Sequence, residues 1–446
     1  MPKAVSDSTI HQRPVELLQN LVRFDTTNPP GNEEGCIRYI DLLLNEAGLH
    51  TSIVAQSPNR PNLFARLPGR GQAPGLLLQG HVDVISATEQ CWTHPPFAAE
   101  VAEDYVWGRG TLDMKGGVAM LLAAFLRARA EHLMPAGDVV FAALADEENF
   151  SNYGAKYVVE QHPELLAGVR YAIGEFGGFS IYVGSRKFYM IQVSEKQTCV
   201  AKLTFRGRGG HSSVPERNSA LAKMGRALVT LDRHHLPVHV VPAARLMFEQ
   251  MAAALPFPQS LVLRQLTNPG LADWALRFLG SRREAFEPLL HNTVASTITV
   301  VGAGAKINVI PAAATLLVHA RLLPGYGPMD LRVELRQLLG SDVEIDISDY
   351  QPGPSEVDMG LFPVLSDILH GMDPDGVSIP LLLTAVTDAR FFSRLGIQTY
   401  GFTPMQLPRD MELWRLTHGT DERIPVAALE FGTRAIHKLI QRFGKP

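Results

Sequence analysis

The sequence predicts an α/β protein whose first domain is discontinuous and is interrupted by a smaller, inserted α+β domain. Three observations carry this. Short apolar runs at 75–84, 138–145 and 171–174 alternate with helix-period segments at 117–129 and 155–161, the texture of helices layered on a sheet. From about Gln192 the texture changes: 193–206 reads as one long strand, 219–231 as a helix, and 293–301 and 314–322 as further strands. After about Ser348 the signals of the first domain resume, with helices at 362–370 and 425–443. The expected division is 1–197 with 349–446 for the first domain and 198–348 for the insertion. Within the insertion, 240–290 has helical pieces at 244–254 and 271–279 but carries no chemistry legible in the sequence.

The chain of 446 residues is 46% apolar, enough to fill a core in each of two domains. Its 41 basic and 45 acidic side chains nearly cancel, to a net charge of −4. That balance provides no footprint for nucleic acid or an anionic membrane and favours a small-molecule or short-peptide substrate. The first residues contain no signal-like apolar stretch, and no apolar run is long enough to span a bilayer, so the expected location is cytoplasmic. Cys36, Cys91 and Cys199 are odd in number and lack close spacing, which argues against a disulfide framework or a thiolate metal site. Any metal would rest on His and carboxylate ligands.

Such residues occur at the ends of the apolar strands. His81 and Asp83 stand in Gly-His-Val-Asp at the carboxyl end of the first run, where open α/β sheets place their ligand crevice. Residues two apart share a face, so Asp83 can orient a metal-binding His81 ring; a satisfied polar residue is the plainer alternative. Asp113 lies in a glycine-flanked loop that opens a helix, where an N-cap competes with a ligand role. Asp146, Glu147 and Glu148 follow the second strand. They are either a solvated run or acids that need cations to offset their repulsion, with one glutamate ligating and its neighbour left free as a base. Glu175 ends the third strand, and His418 lies in a polar loop before the last helix. No Gly-x-Ser-x-Gly elbow, phosphate loop or His-Glu-x-x-His helix is present.

Gly80-His81-Val82-Asp83-Val84, the stretch from Gly108-Arg109-Gly110 to Gly117, Asp146-Glu147-Glu148, and Gly207-Arg208-Gly209-Gly210-His211-Ser212-Ser213-Val214-Pro215 together resemble, in order and over nearly the whole chain, the M20 family of metallopeptidases and deacylases. The resemblance implies a two-metal catalytic α/β domain carrying an inserted lid and dimerisation domain. It implies that His81 and Glu175 bind one divalent ion, that Glu148 and His418 bind the other, and that Asp113 bridges them. Zinc is the expected metal, with cobalt and manganese open. Glu147 would be the general base toward a water between the ions, cleaving an amide bond. His211 matches a lid histidine that reaches the partner subunit's site to stabilise the oxyanion, which implies a homodimer through the lid. Asn308, in an Asn-x-Ile-Pro element, matches a polar substrate contact, with a simple turn as its alternative. Arg390 matches an arginine that grips the substrate carboxylate, although Ala385 and Val386 depart from the small residues common in that loop. His319 stands where an aspartate is common, which leaves Arg321 the weaker site candidate beside Arg390. Glu175, in place of an aspartate, is similar to the deacylase and carboxypeptidase branches and implies an N-acyl amino acid or a peptide with a free C-terminal carboxylate as substrate. A dipeptidase requiring a free α-amine and a catalytically silent homologue are the alternatives.

Overall fold

The computed structural model describes residues 9–88, 90–280, 283–301, 306–354 and 356–444. Residues 1–8, the start of the stretch read as lacking a leader, lie outside them. The chain forms two compact units: one holds residues up to Val193 together with Asp358–Leu381 and the residues from Thr387 onward, the other Ser194–Val357 with Leu382–Val386. Among the described residues no helix is long and apolar enough to cross a membrane.

The first unit is built on a nine-stranded sheet. Its order is β1 (Thr51–Val54), β2 (Asn62–Leu67), β6 (Val139–Leu144), β3 (Gly75–His81), β7 (Val169–Gly174), β17 (Gln398–Gly401), β9 (Arg186–Glu195) and β16 (Gly376–Leu383), with β8 (Phe179–Val183) paired to β9. A small sheet of β18 (Arg423–Pro425), β5 (Tyr105–Trp107) and β4 (Val101–Ala102) joins the end of the chain to its first third. β3 lies between β6 and β7, parallel to both. β3 and β6 are buried along their whole length, because parallel strands covered on both faces are apolar throughout rather than alternating. The helix Lys115–Ala130 is likewise buried almost all round, as an interior helix must be. It packs close to β3: a Cβ added at Gly80 would stand 2.7 Å from Met114 Cε and 2.9 Å from Val118 Cγ2. Glycine at this position lets the loop of Asp113 approach the strand end that bears His81.

In the second unit, β12 (Thr293–Val301), β14 (Ala313–Leu322), β10 (Gln197–Arg206) and β15 (Val343–Gln351) form a four-stranded antiparallel sheet, and β11 (Gly210–His211) pairs with β13 (Val309–Ile310). Burial alternates residue by residue along β14. One face therefore packs on a core of Leu203, Leu316, Val318, Leu331 and Leu335 beside Met224 of the helix Ala220–Arg233. The 240–290 stretch is helical, with Pro242–Ala254, Gln259–Gln265 and Ala272–Arg277 burying Phe248, Met251, Leu263 and Leu276.

One element differs from its expectation. The run 193–206 is two strands, broken at Lys196 between β9 and β10. There the Lys196 amide donates to Leu383 O at 3.0 Å, and its ammonium donates to His291 O at 2.7 Å and Thr293 Oγ1 at 3.1 Å. These bonds turn the chain out of the first sheet. Burial pushes the Lys196 amine down to about 7, with Arg321 adding to the effect.

Candidate metal centre

Three neighbouring parallel strands deliver their carboxyl ends to one place. His81 ends β3, Asp146, Glu147 and Glu148 follow β6, and Glu175 follows β7. His81 Nδ1 lies 3.0 Å from the backbone oxygen of Asp83. A carbonyl only accepts, so this ring nitrogen carries the proton and Nε2 is turned to the site. His81 Nε2 stands 3.1 Å from Asp113 Oδ1 and 3.4 Å from Glu175 Oε2. On the other side of Asp113, Oδ2 is 3.0 Å from His418 Nε2, which is in turn 3.3 Å from Glu148 Oε2. His81, Asp113 and Glu175 thus form one group, and Asp113, Glu148 and His418 a second, each with ligand atoms within 4.8 Å of one another. Asp113 belongs to both. It is not an N-cap: the cap of the following helix is Met114, with no side-chain cap bond.

Electrostatics mark the cluster as built for cations. Burial pushes Glu175 up to about 8, with Asp113 and Asp388 adding to it. It also pushes Glu148 up to about 7, again with Asp113 contributing. Hydrogen bonds donated by its ring to Asp113 and then to Glu148 raise His418 to about 10. Burial opposes the charge on His81, but Asp113, Asp83 and Glu175 hold it well above the usual histidine range. Without metal the acids and imidazoles share protons among themselves; a dication replaces those protons as the compensating charge. Glu148 Oε1 is buried without a hydrogen-bond partner, as expected of an atom reserved for a metal. The donor set therefore fits a pair of divalent cations.

Glu147 stands outside both groups. Burial, then Glu175, raise its carboxyl well above the ordinary value, Asp388 adds to this, and Arg390 opposes it. Arg390 Nη1 is 3.9 Å from Glu147 Oε1 and also donates to Thr387 O at 2.8 Å, while its Nε is buried without a partner. Asp83, wholly buried, accepts the backbone N–H of Glu147 and of Glu148, both at 3.2 Å. It therefore positions the acidic turn as well as His81.

Two further candidates lie in the second unit. His211 is exposed on β11, opposite Val309 of β13, with Nδ1 2.7 Å from Ser213 Oγ. Asn308, also exposed, accepts the Ser212 N–H at its backbone oxygen, 3.0 Å away. The structure thus brings these two together at one small two-stranded sheet whose strands are remote in the chain.

Sequence reasoning gave no role to two buried networks beneath the ligands. In the first, Asn28 Nδ2 donates to Asp83 Oδ2 at 2.8 Å and to Asp146 Oδ1 at 3.0 Å, and Arg60 joins Asp146 at 2.9 Å to Glu33 at 2.7 Å. In the second, Glu422 accepts the backbone N–H of Leu112 at 2.7 Å and of Asp113 at 3.2 Å and pairs with Arg109 at 2.5 Å; Arg109 also reaches His418 O at 3.3 Å. Arg109 falls within the Gly108-to-Gly117 stretch and Glu422 lies four residues after His418, so a buried polar role could have been sought there. Nothing local marks Arg60.

Two carboxylate and imidazole groups sharing a central aspartate, at the mouth of a parallel sheet and beside a free glutamate, define a dinuclear metallohydrolase. The chain belongs to peptidase family M20/M25/M40, whose family model matches residues 77–442. It is 30% identical over 374 residues to a probable carboxypeptidase S-like 2 of Dictyostelium discoideum, covering 79% of this chain and 68% of that protein. It is 28% identical over 390 residues to the human N-fatty-acyl-amino acid synthase/hydrolase PM20D1, covering 83% and 75%. In fold it is similar to an M20 family metallo-carboxypeptidase from Sulfolobus solfataricus, with a TM-score of 0.68 at 16% identity over 97% of this chain and 99% of that one.

Proposed function

We propose that this chain hydrolyses the amide bond of N-acyl amino acids, or of peptides with a free C-terminal carboxylate, with His81 and Glu175 holding one divalent ion, Glu148 and His418 the other, and Asp113 both. The observation that carries this is the pair of ligand groups joined at Asp113 with Glu147 beside them and in neither. When bound, the cations supply Lewis acidity, making water more acidic and the scissile carbonyl more electrophilic.

The remaining chemistry belongs to the chain. Glu147 takes one proton from water as its oxygen forms a bond to the carbonyl carbon. It then delivers that proton to the nitrogen as the C–N bond breaks, leaving a carboxylate and a free amine. Asp83 holds the His81 ring and the Glu147–Glu148 turn in place. Arg390, with an unpartnered buried Nε beside the base, takes the substrate carboxylate. His211 supplies the oxyanion donor and Asn308 a polar substrate contact, from a lid of a homodimer. Zinc suits two imidazoles and three carboxylates without thiolate; the three cysteines are free and none is in either ligand group.

The test is amine release from N-acetyl and N-blocked dipeptide substrates beside free-amine dipeptides, with and without chelator and added zinc. Chelator-sensitive cleavage of blocked substrates is the expected result. Cleavage of free-amine dipeptides alone would overturn it in favour of a dipeptidase.

A further inference from the structure

His418 is held differently from the other candidate ligands. The side chains of His81, Asp113, Glu148 and Glu175 are no more than 6% exposed, whereas that of His418 is 47% exposed. It lies in a turn outside any strand or helix, with φ at 62°, and Asp421 just beyond it has φ at 58°. Left-handed backbone is uncommon outside glycine and persists where the surroundings impose it. Upstream, Thr417 N–H donates to Leu413 O and Gly419 N–H to Leu416 O, both at 2.9 Å. The remaining restraint comes from residues 90–93, 328 positions earlier in the chain. Thr93 takes both oxygens of Asp421: Oδ1 accepts its backbone N–H at 2.7 Å, and Oδ2 accepts its hydroxyl at 2.8 Å. Gln90 Nε2 donates to His418 O at 3.4 Å, and Gln90 Oε1 accepts from Arg109 Nη2 at 2.9 Å. The Arg109 guanidinium in turn lies over the Trp92 ring, 5.1 Å from its centroid.

We propose that Thr93 and Asp421 are a positioning pair that clasps the His418 loop and sets the affinity of the second cation separately from that of the first. This rests on the two-cation reading above. The first group, His81, Asp113 and Glu175, does not include His418, and its side chains are fixed by burial. His418 has no such support. With the clasp open, its loop is free to leave the left-handed conformation, and the imidazole leaves Asp113 Oδ2 and Glu148 Oε2, now 3.0 and 3.3 Å away. A ligand fastened in advance loses less freedom on binding, so the clasp strengthens the second site. Arg109 is a poorer lever, because it also pairs with Glu422, whose carboxylate holds the amide of the shared Asp113. Thr93 and Asp421 act on the His418 side alone. Both bonds between them are exposed, which puts the effect at the lower end of the range for groups that orient a metal ligand, about 10–100-fold in affinity.

The experiment titrates zinc into the metal-free protein in competition with a chromophoric chelator and reads the two dissociation constants for the unaltered chain, Asp421→Ala, Thr93→Val and Thr93→Ser. His418→Ala and Glu175→Gln mark which step belongs to which group. In Asp421→Ala the step marked by His418→Ala should weaken about ten-fold while the other holds. Thr93→Val keeps the backbone donor and should show the same change in smaller measure. Thr93→Ser keeps the hydroxyl and should match the unaltered protein. Turnover of an N-acetyl amino acid by Asp421→Ala should fall at limiting zinc and recover fully at saturating zinc. Equal weakening of both steps, or of neither, would overturn the clasp, as would a loss of turnover that saturating zinc does not repair. Fewer than two zinc ions bound by the unaltered protein would reject the two-cation reading and the clasp with it. Two ions bound without turnover of any substrate would reject the hydrolase reading only, and the two dissociation constants would still decide the clasp.

Discussion

Glu147 and Glu148 are adjacent in sequence and alike in chemistry, yet the 3-10 turn Glu147–Asn149 gives them different surroundings. Glu148 faces His418, and Glu147 faces Arg390. Replacing Glu147 by glutamine keeps shape and removes basicity, so kcat should fall by about 10²–10⁴-fold while metal content, read by elemental analysis, stays at its original level. Full turnover would remove Glu147 from the base role. Glu422 acts one step further out, since its carboxylate accepts the Leu112 and Asp113 amides and so orients the aspartate common to both candidate ligand groups. Glu422→Gln retains the shape but loses the charge that pairs with Arg109. It should weaken metal affinity by about 10–100-fold, measured by competition with a chromophoric chelator. Unchanged affinity would make the pair a matter of stability alone.

At the scale of elements, the site depends on how loops are fastened to strand ends, and this separates what the sequence reveals from what it does not. The candidate ligands are legible because strand-end loops rich in glycine and acids carry their chemistry in a few consecutive residues, as in Gly108 to Gly117. The networks beneath are not, because a buried ion pair joins residues remote in the chain: Arg109 and Glu422 are 313 apart. Arg60 sits in an unremarkable polar loop, and only the fold brings it to Glu33 and Asp146. The break at Lys196 was hidden for a related reason, since its partners, His291 and Thr293, come from far downstream. Arg60→Met should leave two buried carboxylates without their cation, costing about 3–5 kcal/mol of stability in denaturant unfolding of the metal-free protein. A loss within the range of ordinary surface substitutions would mean that the network is solvated and not structural.

At the scale of the whole molecule, the metal centre ties folding to pH. In the metal-free chain Glu148 is raised to about 7, Glu175 to about 8 and His418 to about 10. Each lies above its unfolded value, so between the two values the folded state holds more protons. Stability from these groups is complete below their unfolded pKa values and is lost as pH rises through the folded ones. Asp113 is shifted the other way, with burial outweighed by its two histidines, but its effect falls in strong acid, outside this range. The contribution of these site groups to the stability of the metal-free protein should therefore fall steadily as pH rises from about 5 to about 9, against an opposite contribution from Lys196, whose lowered amine adds stability above about 7. Metal changes the sign. Ligation needs neutral imidazole and ionised carboxylate, so binding expels these protons and strengthens as pH rises, and a ligand that binds only the folded state stabilises it more the tighter it binds. The difference in Tm between metal-loaded and chelated protein should widen from pH 6 to pH 9, read by calorimetry in buffers matched for ionic strength. Isothermal titration at pH 7 in two buffers of different ionisation enthalpy should register net proton release, shrinking toward pH 10. A difference in Tm that stays constant across this range, with no proton released, would mean that the five side chains are not the groups that take the metal.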